Sequence, residues 1–563
     1  MTTATISWEG ATEALERFLD SHQGKSVRAA FTTYNFDADS FQRSWMRKLR
    51  RARAQVLVLA DRRELRSAIH GDAALVGFQL APVGLTRGVF HPKIILVRAG
   101  DDLFAAIGSG NLSPGGLGGN LELQLAISTR TSHRHPLADG IAGFLRDVAS
   151  SSLLRMQATA RRFLTVMTQD VPAGAGVFSS LSRPLIDQVI AAVPGRGPTA
   201  TTLLSPWHAG TGEQVDSTVI GHLRRRLGGT VEVLTDGIDG KAPDLPNCHT
   251  RIYRGRADAA DDEDDKEAMP TRPSRLHAKS VIIQRAGRGW WFLGSANATR
   301  PALCQSVAQG GNLEVLAILP LDAKSLARLD RTWRSLFTEA TAVHRERPTW
   351  TPAHCGTILG GELLPSTTGV ALRLTACSAD LHHATIVLPS PSKKVRSEVI
   401  SFRGGEANVT GEVLQRMIPT PPDRRQGATS IILEELHRGE RHPFVVSIPL
   451  LIDDEQDVNL YDRLDEELRF LERRWPVAKP RGMTQDLDQE SDDDDDDNVL
   501  DELTSTQHQG SLDRLAEQLH RIGQHLSAPH QARHRVRLSE ICSRDLPPHL
   551  RRLVVATLTK TRP

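Results

Sequence analysis

The sequence has few cysteines and no pairing among them. Its five, Cys248, Cys304, Cys355, Cys377 and Cys542, stand far apart and never form a CxxC pair. That excludes the usual zinc and dithiol arrangements and leaves reduced, mostly buried thiols. No apolar run approaches the roughly 20 residues that cross a bilayer. The opening stretch "MTTATISWEGATEALERFLDSH" has neither the basic nor the apolar region of a secretory leader, so a cytoplasmic protein is expected. Net charge is nearly absent too, at +2, but the balance conceals a separation. Eleven acids are concentrated in "DDEDD" at 261–265 and "DDDDDD" at 492–497, and setting them aside takes the remainder to +13. A basic body suits a polyanion such as nucleic acid, although a solvated arginine-rich surface fits the composition equally well.

What is present exceeds one domain, since single cores stop growing near roughly 250 residues and the chain has 563. "VRAAFTTYNF" at 27–36 reads as a strand, "SFQRSWMRKLRRA" as a helix and "QVLVLAD" as a strand. The strand-like runs "FQLAPVG", "HPKIILV", "LFAAIGSGN" and "LELQLAIST" follow, and "HPLADGIAGFLRDVASS" closes the unit as a helix. The order then recurs from "TATTLLSPW" through "STVIGHLRRRLGG", "TVEVLTD", "RIYRG", "HAKSVIIQR", "GWWFLGSAN" and "LEVLAILP" to the helix "AKSLARLDRTWRSLFTEA". A unit of this length is too long for a solenoid repeat and implies two fused α/β halves, at 1–170 and 171–350. Short β-like runs then predict a small antiparallel β-rich domain at 356–455, followed by a helix at 456–480, an acidic disordered linker at 481–505 and a helical tail at 506–563.

The halves share more than order. The first carries His91-Pro92-Lys93, Gly108-Ser109-Gly110-Asn111 and Gly119-Asn120-Leu121-Glu122; the second carries His277-Ala278-Lys279, Gly294-Ser295-Ala296-Asn297 and Gly311-Asn312-Leu313-Glu314. Histidine and Gly-Ser are 17 residues apart in both. Residues i and i+2 of a strand share a face, so each histidine is expected beside its lysine. Lysine neutralises phosphoryl oxygens, while the Ser hydroxyl and Asn amide of a tight turn can donate to them. Facing each other, the halves would put two imidazoles on opposite sides of one phosphorus. A neutral one attacks to give a phosphohistidine, and a protonated one serves the leaving oxygen and then activates water, with no metal required. Lys93, Lys279, Asn111 and Asn297 meet the developing charge. Glu122 and Glu314 are suited to hold a histidine's other nitrogen.

These paired HxK, GSxN and N-x-E elements resemble the phospholipase D superfamily, over about residues 1–345. The resemblance implies two fused α/β sandwich halves in a pseudo-dimer, with metal-independent two-step phosphodiester transfer in one active site within the chain. It also implies His91 as nucleophile and His277 as acid and base. The family's Asp five residues after each lysine is replaced by Arg98 and Gln284. That makes the motif more similar to the tyrosyl-DNA phosphodiesterase branch and to nuclease-like members than to the lipid hydrolases.

The leading expectation is therefore a nuclease acting on DNA or RNA, with a helicase or ATPase partner in a prokaryotic DNA-defence or repair assembly as a fold-level analogy. The alternatives are a phospholipase and a catalytically silent nucleic-acid scaffold. Tyr34 and Asn35, matched by Pro206 and Trp207, end the first strand of each unit and are expected to line the entry channel. Trp290 and Trp291 read as core residues before base-stacking ones. "KLRR" and "HLRRRL" read as solvated helix faces, and the histidines at 382–383 and 437–442 have no metal spacing. "DDEDD" reads as a solubilising loop, with nucleic-acid mimicry over the cleft as the sharper alternative.

Overall fold

The computed structural model describes residues 2–447 apart from 6–7, 23–25, 65–76, 134, 173, 209–217, 238–246, 255–274, 340–355, 367–368, 389–395 and 419–429. The helix, linker and tail expected beyond 455, and the "DDEDD" run, lie outside the described residues. The described residues all fall in one compact unit.

Two eight-stranded mixed sheets dominate. The first draws on β1 (Thr2–Thr5), β2 (Val27–Thr33), β3 (Ala54–Asp61), β4 (Gln79–Leu85), β5 (Ile94–Ala99) and β6 (Asp102–Gly108), then passes through the short β7 (Asn120–Leu121) to β8 (Gln124–Arg130) and β9 (Leu154–Arg155). Its order is β1-β8-β6-β5-β2-β3-β4-β9. The second uses β10 (Val177–Ser179), β11 (Ala200–Leu204), β12 (Thr230–Thr235) and β13 (Cys248–Tyr253). After the short β14 (Arg275–Leu276) come β15 (Ser280–Arg285), β16 (Arg288–Gly294), β17 (Val315–Leu321) and β18 (Phe337–Glu339). Its order, β10-β17-β16-β15-β11-β12-β13-β18, repeats the first position by position. The directions repeat as well: β2 runs parallel to β3 and antiparallel to β5, as β11 does to β12 and β15.

Central strands such as β4 are buried along their whole length, as expected of strands covered on both faces. Against the first sheet, Phe31, Phe41, Trp45 and Phe78 meet edge to face in the main core. The segment that supplies Phe41 and Trp45 is not the single helix expected. It passes from α-helix (Ala38–Phe41) through a π-turn (Gln42–Met46) to α-helix (Arg47–Arg51), and the adjacent Trp45 and Met46 are both buried there. The expected strand "LELQLAIST" is also two pieces, β7 and β8, with Glu122 and Leu123 between them. The helix expected at 323–340 ends at Leu336 and turns directly into β18.

A third sheet has seven strands: β19 (Ile358–Ser366), β20 (Gly369–Ala376), β21 (His383–Leu388), β22 (Arg396–Ser401), β23 (Glu406–Val409), β24 (Ser430–His437) and β25 (Glu440–Ser447). It is not purely antiparallel as expected, because β19 lies parallel to β25. A short helix, Gly411–Met417, packs with its core. Buried polar groups tie this sheet to the first half. Glu362 Oε1 accepts from the Thr159 amide at 3.0 Å and hydroxyl at 2.7 Å, Gln157 Nε2 donates to the Gly361 carbonyl at 2.6 Å, and the Ser447 hydroxyl lies 3.1 Å from the Leu80 carbonyl. Among the described residues no helix is long and apolar enough to cross a membrane.

The two halves meet through backbone. β14 pairs in parallel with β7, and Phe90 bridges Leu313 in the same sense. Gly88, at φ +70°, makes the second contact possible: a Cβ there would lie 2.0 Å from the Gly311 carbonyl oxygen. Gly88→Ala should therefore lower Tm by about 5 °C or more beyond the effect of Gly100→Ala, which has a similar φ of +62° but open space around it. Equal shifts in differential scanning calorimetry would show that the close approach does not matter.

Candidate active site

Each histidine is placed by the other half. The His91 amide donates to the Leu313 carbonyl and the His277 amide to the Leu121 carbonyl, both at 3.0 Å. The side chains follow the same crosswise rule. His91 Nδ1 lies 2.8 Å from Glu314 Oε2, and His277 Nδ1 lies 2.6 Å from Glu122 Oε1. Each glutamate is in turn held by its own half, where Ser109 Oγ donates to Glu122 and Ser295 Oγ to Glu314, each at 2.5 Å. Anchoring through Nδ1 leaves Nε2 of each imidazole for chemistry.

This geometry corrects two expectations. His91–Lys93 and His277–Lys279 lie just before β5 and β15, outside the ladders, and the two histidine amides pair with the opposite half. Ser109 and Ser295 are not phosphate donors. Each hydroxyl has one proton, which goes to a glutamate, and it accepts from the Leu123 or Val315 amide at 2.9 and 3.0 Å. Both serines are fully buried.

Lys93 and Lys279 are buried, and each donates to the carbonyl of its own histidine, Lys93 at 2.8 Å. An ammonium has two further protons for a ligand. Asn111 Oδ1 faces the Thr33 hydroxyl and the Asn35 amide at 3.4 Å, while Asn297 Oδ1 is buried without a hydrogen bond. Hydroxyls at the ends of β2 and β11 shape both turns. Thr33 Oγ1 donates to the Asn35 carbonyl at 2.6 Å and accepts from the Leu112 amide; Ser205 Oγ donates to the Trp207 carbonyl at 2.6 Å and accepts from the Ala298 amide. By these bonds Asn35 corresponds to Trp207, yet the rings that occupy equivalent places are Tyr34 and Trp207. Tyr34 lies 5.2 Å from the His91 ring and Trp207 lies 6.1 Å from the His277 ring, and each is 6.0 Å from its lysine Nζ.

Two carboxylates were overlooked in the sequence. Asp61 Oδ2 accepts from the Phe90 amide at 2.6 Å, and Asp236 Oδ1 accepts from the Leu276 amide at 3.3 Å. Each fixes the residue before a histidine. Their signal was available, because the second strand-like run of each half, "QVLVLAD" and "TVEVLTD", ends in the same residue. Arg98 stands away from this cluster and donates to the Gly100 and Met167 carbonyls. Trp291 is buried on β16 and Trp290 packs on the second core. Among the described residues no group of three or more His, Cys, Asp or Glu is placed to hold a metal ion.

The electrostatics of the two histidine–glutamate pairs differ. Burial, then Lys93, Lys279 and His277, hold His91 well below the ordinary histidine value. Burial also lowers His277, against the attraction of Glu122. Burial pushes Glu314 up to about 8, whereas for Glu122 burial is outweighed by His277, Lys279 and the Ser109 bond, which together draw its carboxyl down. The His277 side chain is also more exposed than that of His91, 16% against 9%. Charge is therefore cheaper on His277. Burial lowers both lysines, Lys279 to about 8 and Lys93 well below its ordinary value. Burial likewise raises Asp61, to about 6, and the Tyr34 phenol, which hydrogen-bonds Glu64.

No protein-family model matches the chain, and a search of the curated proteins finds no relative. Solved structures do match. Polyphosphate kinase from Porphyromonas gingivalis aligns at 13% identity and a TM-score of 0.39, over 63% of this chain and 51% of that one, so the chain spans about half its length. Yeast tyrosyl-DNA phosphodiesterase aligns at 8% identity and 0.34, over 54% and 84%. Phosphatidylserine synthase from Haemophilus influenzae aligns at 14% and 0.36, over 61% and 88%.

Histidine-resolved NMR should find His91 uncharged at pH 6.5, titrating below a free histidine. Lys93→Met removes a cation that opposes its charge, so the His91 pKa should rise. A normal pKa in the native chain, or a fall in the variant, would contradict the electrostatics described.

Proposed function

We propose that the chain is a phosphodiesterase of the phospholipase D kind that acts on nucleic acid, through a covalent phosphohistidine. The observation that carries this reading is the crosswise anchoring of two imidazoles by buried carboxylates, each beside a buried lysine and a Gly-Ser-x-Asn turn. In the first step the His91 Nε2 lone pair attacks phosphorus. The P–N bond forms, the P–O bond to the leaving group breaks, and that oxygen takes the proton from His277 Nε2. In the second step His277, now neutral, takes a proton from water, whose oxygen attacks phosphorus and displaces His91. Lys93, Lys279 and the Asn111 and Asn297 amides meet the charge on the non-bridging oxygens. The unequal environments support these roles, because the more buried histidine is the one that must start neutral. Nucleic acid is favoured over lipid by the basic remainder of the chain, +13 outside the acidic runs, and by the aromatic rings beside both histidines.

The direct test is cleavage of labelled DNA and RNA in EDTA. His91→Ala should abolish turnover and labelling by phosphate, while His277→Ala should accumulate an acid-labile, alkali-stable phosphoprotein; undiminished cleavage by His91→Ala would place the chemistry elsewhere. The pH profile gives a second test. The rate rises with pH as His91 loses its proton, well below 6.5, and falls as His277 loses its own, also below its ordinary 6.5. The optimum of kcat/KM should therefore lie on the acid side of pH 6.5, and an optimum near pH 8 would refute this division of roles.

A further inference from the structure

We infer that the site accepts a single nucleic-acid strand rather than a duplex, with the nucleobases flanking the scissile phosphate stacked on Tyr34 and Trp207; this rests on the phosphodiesterase reading above. Two independent features carry it. Of the groups that must touch phosphate, three are sunk, with His91 at 7% exposure and Lys93 and Lys279 at 1% and 0%, and His277 is half-buried. A phosphodiester has to be drawn down to them, and an extended strand can be, whereas a duplex keeps its phosphates on a broad, stiff ridge. The second feature is an aromatic ring at the equivalent place in each half, 5.2 Å from one imidazole and 6.1 Å from the other. A phosphorus held between the imidazoles therefore has a half-buried ring on either side.

In a duplex, the bases next to that phosphate are paired and stacked on one another, turned away from any protein ring beside the backbone. Bases of a single strand are free to rotate outward, and every base offers a π-face whatever its sequence. The rings are unlike in support. The Tyr34 phenol is tied to Glu64, and burial keeps it protonated, so it is a fixed neutral platform. Trp207 takes its place from the Ser205 turn and offers the larger face. Neither ring reads a base edge, so little sequence preference is expected.

The test uses the full chain in EDTA with three probes: a labelled single-stranded oligonucleotide, the same strand in a duplex, and bis(4-nitrophenyl) phosphate, which has no nucleobase. The single strand should be cleaved at least about tenfold faster than the duplex, the size of one stacking contact. Trp207→Leu and Tyr34→Leu should each raise KM for the single strand and narrow that ratio, while Trp207→Phe, which keeps an aromatic face, should retain the preference. In the His91→Ala background, 2-aminopurine next to the scissile phosphate should be quenched on binding, and less so with Trp207→Leu. Equal cleavage of strand and duplex, with bis(4-nitrophenyl) phosphate also hydrolysed, would overturn the single-strand inference and leave the phosphodiesterase reading standing. Failure to hydrolyse any of the three would overturn both.

Discussion

A carboxylate lent by one half to the imidazole of the other is the contact on which the site depends. Without Glu314, His91 would have no partner for Nδ1 and no fixed tautomer, and the same holds for His277 without Glu122. Four ionisable groups and two imidazoles share a space nearly closed to water, and isolated charges there would be prohibitive. They are tolerable because opposite charges among them offset part of that cost. Glu122 and Glu314 raise the lysine pKa values that burial depresses, and the lysines in turn hold down the glutamates. On the function proposed above, a phosphodiester would bring one more negative charge and favour the ammonium form of lysines already pushed toward neutrality. Binding and charging would therefore be coupled.

The same arrangement gives two near-identical motifs different surroundings. Sequence makes the halves alike, since both supply His-x-Lys, Gly-Ser-x-Asn and Gly-Asn-Leu-Glu. Environment makes them unlike, because the pair at His91 is more deeply buried and its glutamate is pushed up while the partner glutamate is drawn down. Acid and base roles are commonly separated in this way, through surroundings rather than through residue type. The asymmetry extends to the rings, a tethered Tyr34 against Trp207, and to the asparagines, where Asn111 finds backbone support that Asn297 lacks.

Much of this was legible in the sequence because period and spacing are local properties. The strand runs, the repeated order and the constellation of histidine, lysine, asparagine and glutamate could all be read without coordinates. What could not be read was which half completes which. The spacing of 17 residues between His91 and Gly108 is silent on whether Glu122 turns back to His91 or crosses to His277. The serine protons go to the glutamate of the same half, a pairing that spacing alone does not reveal. The π-turn at 42–46 hides inside a helical pattern because Trp45 and Met46 still look like a core face. The parallel pairing of β19 with β25 joins strands more than 70 residues apart and leaves no trace in either.

Arg98, five residues after Lys93, makes bonds of its own away from the histidine cluster. Arg98 turns toward the carbonyl end of the helix Ala158–Thr168 and pins the sheet to it, so a carboxylate there would lose those bonds. The residue before each histidine is buried, and its amide needs an acceptor. Asp61 and Asp236 provide one from the neighbouring strand ends, at the same place in both halves. An acceptor on a separate strand has a consequence that one on the same strand lacks, because it ties the position of the histidine to the packing of β3 or β12. The histidine segment is then held from three directions, by its own strand, by Asp61 or Asp236, and by the backbone of the opposite half. With so many constraints the imidazole has little freedom left, and the in-line attack on phosphorus proposed above would depend on that fixed orientation.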